Sequence, residues 1–286
     1  KRILRIFPLY YLSLVVFLFI TPALFQNIHS DYFRQNQIYI WTYLQNWLYS
    51  FKPTNQTLLH HYWSLAVEEQ YYLIWPFVIL LIKNKRVLLF ITLLLLVSVN
   101  ALRVIVWSMK ADSLSYLTLY TFSRIDGLCI GSAISLLMSI NKNFLSKYTA
   151  HIITSVAALN FLFYFINDEK TFPYLAFIGY TTIAIVFGIF IYESVIGKTS
   201  IINIIFNNAI LRLFGRISYG FYILHWPLYL YLSPELNKFF SQMATLPPSL
   251  IPFLSSVIAT SVAFVISLLS FKYFESYFLR LKEKFN

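Results

Sequence analysis

The chain has 286 residues, of which 59% are hydrophobic, 20% aromatic and only 12% charged. Water-soluble domains run nearer a quarter charged and half apolar, so this composition excludes an ordinary soluble globule and points to an integral membrane protein. The 22 Lys and Arg against 11 Asp and Glu would suggest nucleic acid on a soluble chain. Here the basic residues lie in short connections between apolar runs, as membrane anchors do, and no nucleic-acid partner is expected.

Apolar runs of about 20 residues suit helices that cross a bilayer. In chain order they fall at 6–25, 63–82, 87–107, 115–139, 149–166, 174–192, 216–233 and 250–271. The fold class this predicts is all-α, a polytopic transmembrane helix bundle with about eight spans. Residues 26–62 form an expected external segment. Within it Ile38–Phe51, IYIWTYLQNWLYSF, is strongly aromatic but short for a span, and reads as an interfacial or re-entrant helix. Fifteen of the 22 basic residues fall on one side of this arrangement (Lys1, Arg2, Arg5, Lys83, Lys85, Arg86, Lys142, Lys147, Lys198, Arg212, Arg216, Lys272, Arg280, Lys282 and Lys284). Five (Arg34, Lys52, Lys110, Lys170 and Lys238) fall on the other, and Arg103 and Arg124 lie within spans. The bias makes the first side cytoplasmic, with both ends of this chain inside. A crossing at Ile38–Phe51 would scramble it.

The one cysteine, Cys129, sits in an apolar run and reads as a core residue, so no disulfide framework is expected. No signal-peptide cleavage site is evident, and a start at Lys1 suggests a trimmed chain. Metal-binding CxxC, phosphate-loop and dinucleotide glycine motifs are absent; GKTS at Gly197–Ser200 lacks the upstream glycine of a phosphate loop. No metal site and no permanently bound cofactor is expected.

Four polar stretches interrupt the apolar pattern, and ionisable groups inside a membrane read as functional by default. In HYWSLAVEEQYYLIWP, His61–Pro76, His61 and Glu68 are seven apart and share a helix face that Tyr72 and Trp75 extend. Glu69 points about 100° away and reads as part of an interfacial polar layer. In YTFSRIDGLCIGSAIS, Tyr120–Ser135, the small residues Ser123, Gly127, Gly131 and Ser135 are each four apart, a stripe for close helix packing. That stripe does not account for Arg124 and Asp126. A buried arginine needs an anion, either a ligand or a carboxylate such as Glu68. Asp126, two residues on, is a poor partner on the same helix. In FGRISYGFYILHWPLYLY, Phe214–Tyr231, Ser218, Tyr222 and His225 form one polar stripe at i, i+4 and i+7. Pro227 frees the carbonyl four residues before it and should kink the helix. In KRILRIFPLYYL, Arg2 and Arg5 share a face at the cytoplasmic edge, either as membrane anchors or as a phosphate clamp. Glu193 and Glu275 sit at cytoplasmic helix ends and read as anchors or as partners for nearby bases.

These blocks together resemble the family-3 membrane acyltransferases, bacterial transmembrane enzymes that acylate surface glycans. The match is close at HYWSLAVEEQYYLIWP and is supported by Arg2-x-x-Arg5 with RIFPLYYL, by SRIDGLCIG, by GRISYGFYILHWPL and by KYFES, in order along essentially the whole chain. The resemblance implies a single transmembrane acyltransferase domain over 1–286. Family members have about ten helices, the first bearing a histidine implicated in catalysis. Lys1 falls where the family's third helix begins, so the domain is expected to be N-terminally incomplete. FES also departs from the family's usual acidic-Arg-Pro ending, which leaves the role of Glu275 open.

The implied activity is transfer of an acyl group, acetyl above all, from cytoplasmic acyl-CoA to a hydroxyl of an extracytoplasmic cell-surface glycan such as lipopolysaccharide. The implied location is the bacterial inner membrane, with acyl-CoA, the glycan acceptor and membrane lipid as partners. Such chemistry needs a base, donors for a developing oxyanion, and a route across the bilayer. Glu68, His61, Arg124 and His225 are the candidate catalytic residues, with Glu68 orienting a histidine and Arg124 stabilising negative charge. Arg2, Arg5, Tyr222, Ser218, Trp63 and Asp126 are the candidate substrate-binding residues. The alternative is an ion-coupled transporter or exporter, which buried Arg, Asp, Glu and His also suit, although the hydropathy pattern shows no inverted repeat. A noncatalytic scaffold would leave Glu68, Arg124 and His225 unexplained.

Overall fold

A computed structural model describes residues 2–24, 31–54, 58–109, 119–166, 174–196, 204–206, 208–243 and 247–284. Gly197–Ser200 and, from the charge count, Lys1, Lys110, Lys170 and Lys198 lie outside them. Every regular element among the described residues is helical. Five helices are long and apolar enough to cross a membrane: Ile3–Ala23, Lys85–Ser108, Thr149–Ile166, Phe177–Ile196 and Leu250–Leu281. Asp126–Ile140 is apolar but has only 15 residues. Trp63–Leu81 and Ala209–Ser241 have the length, but their polar and charged residues dilute their apolarity. Large apolar side chains point outward along these helices, Leu80 at 71% exposure and Phe90 at 67%. An aqueous surface would not tolerate them in such number. The protein is a multi-pass membrane helix bundle.

The chain divides into two compact units. The first comprises Lys1–Thr42, Thr54–Tyr62 and Asn208–Asn286. Its N-terminal helix, Ile3–Val15, buries Ile6, Leu9, Tyr10, Ser13 and Leu14, the one-sided spacing of a helix with a single packed face. Three hydroxyls tie this helix down. Tyr219 donates to the Ile6 carbonyl at 2.7 Å, Tyr10 donates to the Ile40 carbonyl at 2.7 Å, and Ser13 shares a 2.7 Å hydrogen bond with Tyr62. Ala209–Ser241 packs against Leu250–Ser270, whose Ser255, Ala259, Ala263 and Ser267 are each four apart and each fully buried. Where lipid tails compete with side chains, such a stripe of small residues gives helices their closest contact. The sequence reading did not single this stripe out.

The second unit comprises Tyr43–Pro53 and Trp63–Asn207. Val67, Tyr71, Val99, Ile125 and the buried Cys129 form one apolar cluster, so Cys129 is the core residue expected. Leu145, Ile189 and Tyr192 form another. Buried Glu193 accepts a 2.6 Å hydrogen bond from Thr149. The stripe expected to bring helices together is used unevenly. A Cβ at Gly127 would lie 3.8 Å from that of Ala184, whereas one at Gly131 would meet nothing. The tight approach is made by Gly188, where an added Cβ would come within 2.6 Å of Ile134. The span expected at 115–139 is stepped, with a one-turn helix Thr121–Arg124 preceding Asp126–Ile140.

The segment read as one short helix at 38–51 is two, Gln37–Trp41 in the first unit and Gln45–Phe51 in the second. Between them Tyr43 adopts φ 56°, the left-handed region that non-glycine residues seldom enter. Its carbonyl accepts a 2.7 Å hydrogen bond from Gln70, a contact that helps to fix the break.

Helix packing through small residues makes a direct prediction. Ala263→Leu and Gly188→Leu should each lower thermal stability in detergent by about 1–3 kcal/mol through overpacking. Gly131→Ala should leave stability unchanged or raise it by up to about 1 kcal/mol. Melting of the purified variants checks both.

Candidate functional site

In the second unit, Gln70 of the HYWSLAVEEQ stretch closes a polar knot. Its amide donates to Asn46 at 2.9 Å and its oxygen accepts from Trp47 at 3.2 Å and Thr121 at 2.5 Å. Asn46 donates onward to Thr121 at 2.9 Å and to the Leu119 carbonyl at 3.2 Å. This network fixes the start of the Trp63–Leu81 helix against Thr121–Arg124. Glu68 and Glu69 are half-buried on that helix.

Arg124 lies at the end of its one-turn helix, with its guanidinium carbon 3.8 Å from the Tyr180 ring centroid and 5.3 Å from that of Trp63. Faces of aromatic rings attract cations, so Trp63 acts here as part of the cradle for Arg124. Arg124 forms no ion pair with Glu68 or any other carboxylate among the described residues. Its buried Nε and Nη1 find no protein acceptor. Asp126 is engaged elsewhere, by Arg103, at 2.7 Å. Arg103 is fully buried, and its other nitrogens donate to the Ser123 carbonyl at 2.7 Å and to Thr181 at 3.2 Å. Thr181 also lies 2.8 Å from Asp126 and 3.1 Å from Asn100. Sequence reasoning left Arg103 unassigned within its span. The available signal was Asn100 three residues before it, which makes a polar pair on one face of an otherwise apolar helix.

In the first unit the structure brings His61, Tyr222 and His225 together. The His61 and His225 rings lie 5.3 Å apart, and the Tyr222 hydroxyl donates to the His61 carbonyl. Ser218, expected on the same stripe, stays outside this cluster, exposed and hydrogen-bonded to the Gly215 carbonyl at 3.1 Å. Carbonyls only accept, so the hydrogen bonds assign the tautomers. His225 Nδ1 lies 2.8 Å from the Tyr222 carbonyl and 3.0 Å from that of Phe221. Nδ1 therefore carries a proton, and in the neutral tautomer the lone pair falls on Nε2. His61 Nε2 faces the Ile223 carbonyl at 3.4 Å, which leaves the lone pair on Nδ1, buried and without a protein partner. Ile223 is the residue four before Pro227, whose missing N–H leaves that carbonyl free. The helix runs on unbroken through Pro227, and the freed carbonyl is what His61 meets.

Arg2 is half-buried and Arg5 exposed at the start of the N-terminal helix. Arg5 lies within electrostatic reach of the buried Glu275, which accepts a 3.2 Å hydrogen bond from Ser270. A Cβ at Gly220 would come within 2.7 Å of that carboxylate, so the glycine of GRISYG makes room for the glutamate of KYFES. Beside them opens an apolar groove of about 280 Å³, lined among others by Leu9, Ser13, Leu224, Leu269, Ser270 and Phe274.

The family model described as Acyltransferase domain matches residues 1–271. The chain belongs to the family-3 acyltransferases. Over 298 residues it is 26% identical to the "Peptidoglycan O-acetyltransferase OatA" of Listeria monocytogenes, covering 96% of this chain and 45% of that protein. It is 31% identical over 201 residues to the "Putative O-acetyltransferase SACOL0978" of Staphylococcus aureus, covering 64% of this chain and 33% of the other. It is 27% identical over 252 residues to the "Putative peptidoglycan O-acetyltransferase YrhL" of Bacillus subtilis, covering 82% and 39%. The chain thus spans between a third and a half of these relatives' own length. No solved structure matches it.

Within this acyltransferase-family chain, burial and then the neighbouring His225 hold the His61 imidazole down to about 3. An unfolded histidine takes its proton near 6.5, so between pH 6.5 and 3 the unfolded chain binds a proton that folded His61 refuses. Stability should therefore fall as pH drops through this window, by up to about 1.4 kcal/mol per pH unit from this residue. Parallel melts of wild type and His61→Gln from pH 7 to pH 4 should show a shallower acid loss in the variant.

Proposed function

We propose that the chain is the membrane domain of an O-acyltransferase that moves an acyl group, acetyl by preference, from acyl-CoA on the cytoplasmic side to a hydroxyl of an extracytoplasmic cell-wall glycan. Family membership supports the reaction class, and the names of the relatives support the acetyl group and the glycan. The observation that carries the chemistry is His225, whose Nδ1–H is committed to backbone carbonyls, so that its neutral ring would hold the lone pair on Nε2. A nitrogen so fixed suits removal of the proton from an attacking sugar hydroxyl. In this reading His61 packs beside it and Tyr222 holds the His61 backbone. Arg124, on its bed of Trp63 and Tyr180, stabilises the negative charge that builds on the carbonyl oxygen as acyl transfer proceeds. Arg2 and Arg5 suit the phosphates of CoA. The bias of the basic residues supports both ends of this chain lying on the inner side of the cytoplasmic membrane.

The test supplies radiolabelled acetyl-CoA to inside-out vesicles carrying the full-length protein. Covalent label on glycan is expected; glycan movement without label would replace the enzyme by a transporter. His225→Ala should lower labelling about 10²–10⁴-fold, the usual worth of a positioned base, and Arg124→Ala about 10²–10³-fold, with membrane insertion unchanged in both. Full labelling by both variants would overturn the assignment of these roles.

A further inference from the structure

The second unit holds two arginines with opposite fates. Arg103 has an acceptor for each of its three nitrogens, in the Ser123 carbonyl, Thr181 and Asp126. Among the described residues, Arg124 has no protein acceptor for Nε or Nη1. Between them stands one carboxylate. Asp126 is the strongest opposite charge that Arg124 feels, yet its Oδ2 is held by Arg103 at 2.7 Å and by Thr181 at 2.8 Å. The two guanidiniums flank the same Tyr180 ring, at 5.5 Å and 3.8 Å from its centroid. A buried carboxylate that lost Arg103 would be an uncompensated charge, and the nearest cation left to it would be Arg124.

We infer that Arg103 is a positioning residue that sequesters Asp126, and so keeps the Nε and Nη1 donors of Arg124 available to an oxygen-centred anion of the substrate or of the reaction. Guanidinium N–H groups are charge-assisted donors to carboxylate, phosphate and oxyanion oxygens. Two interchangeable anchors would both be saturated by protein; here one arginine is saturated so that the other is not. This inference rests on the acyl-transfer reading for its activity readout, but not for its geometry.

The experiment uses the full-length protein with Arg103→Gln, Arg103→Lys and the double variant Arg103→Gln with Asp126→Asn. Arg103→Gln releases Asp126 to Arg124 and should lower acylation about 10²-fold, as losing an oxyanion donor does. The double variant removes the released charge and should recover to within a few-fold of wild type. Arg103→Lys keeps a cation on Asp126 and should lie nearer wild type than Arg103→Gln. A loss in kcat identifies the anion as one that forms during reaction; a loss expressed in KM identifies one carried by the substrate. The 15N resonance of the Arg124 Nε should shift in Arg103→Gln and return in the double variant, a readout independent of activity. A double variant that extracts as a monodisperse protein yet stays as inactive as Arg103→Gln, or an Arg124 resonance that does not move, would overturn the inference. Wild-type protein that acylates nothing would remove the functional reading alone, and the resonance would still decide whether Arg103 guards Arg124.

Discussion

A polar group surrounded by hydrocarbon keeps only the partners the protein gives it, and an unsatisfied one costs about 1–3 kcal/mol. This constraint organises both units. Arg103 gathers three acceptors, Gln70 is bonded through both its oxygen and its amide, and Glu275 sits in a space cleared by Gly220. Against that background the few exceptions carry information. Arg124 Nε and Nη1 and His61 Nδ1 are buried without protein partners, at the residue types that acyl transfer requires. Natural sequences break local rules at sites of function and compensate elsewhere. The compensation is visible here as aromatic faces under Arg124 and as a backbone carbonyl opposite the far side of His61.

Much of this could be read from the chain before any coordinates. The apolar runs found the helices because bilayer thickness fixes their length, and the i, i+4, i+7 spacing found the pairing of Tyr222 with His225 because helical periodicity is local. What escaped depended on contacts distant in sequence. The break at Tyr43 is tied to a hydrogen bond from Gln70, and nothing in IYIWTYLQNWLYSF announces it. Asp126 reads as a poor same-helix partner for Arg124, but its ion-pair partner Arg103 lies on the Lys85–Ser108 helix and looks, in the sequence, like one stray charge. Ser218 falls on the stripe by count but lies exposed, with its hydroxyl bonded within its own helix turn. Small-residue stripes were legible as a motif, but which glycine is pressed hardest, Gly188 rather than Gly131, depends on the side chains opposite.

The helices are not uniform rods. Three of them contain π-helical segments, Val16–Ile20, Leu175–Gly179 and Phe271–Glu275. Such widened turns add a residue to the local register and recur at functional positions. Leu175–Gly179 leads directly into Tyr180 and Thr181, which touch the two arginines, and Phe271–Glu275 ends on the carboxylate beside Gly220.

Pro227 shows how a backbone defect can act at a distance. It does not end its helix, yet by withholding one N–H it leaves the oxygen of Ile223 to a side chain from another part of the chain. An imidazole facing a bare oxygen must present its N–H there and turn its basic nitrogen the other way. An imino acid in one helix thus bears on which nitrogen of a histidine outside that helix holds the lone pair. The orientation of the ring at position 61 is in part inherited from the ring at position 227.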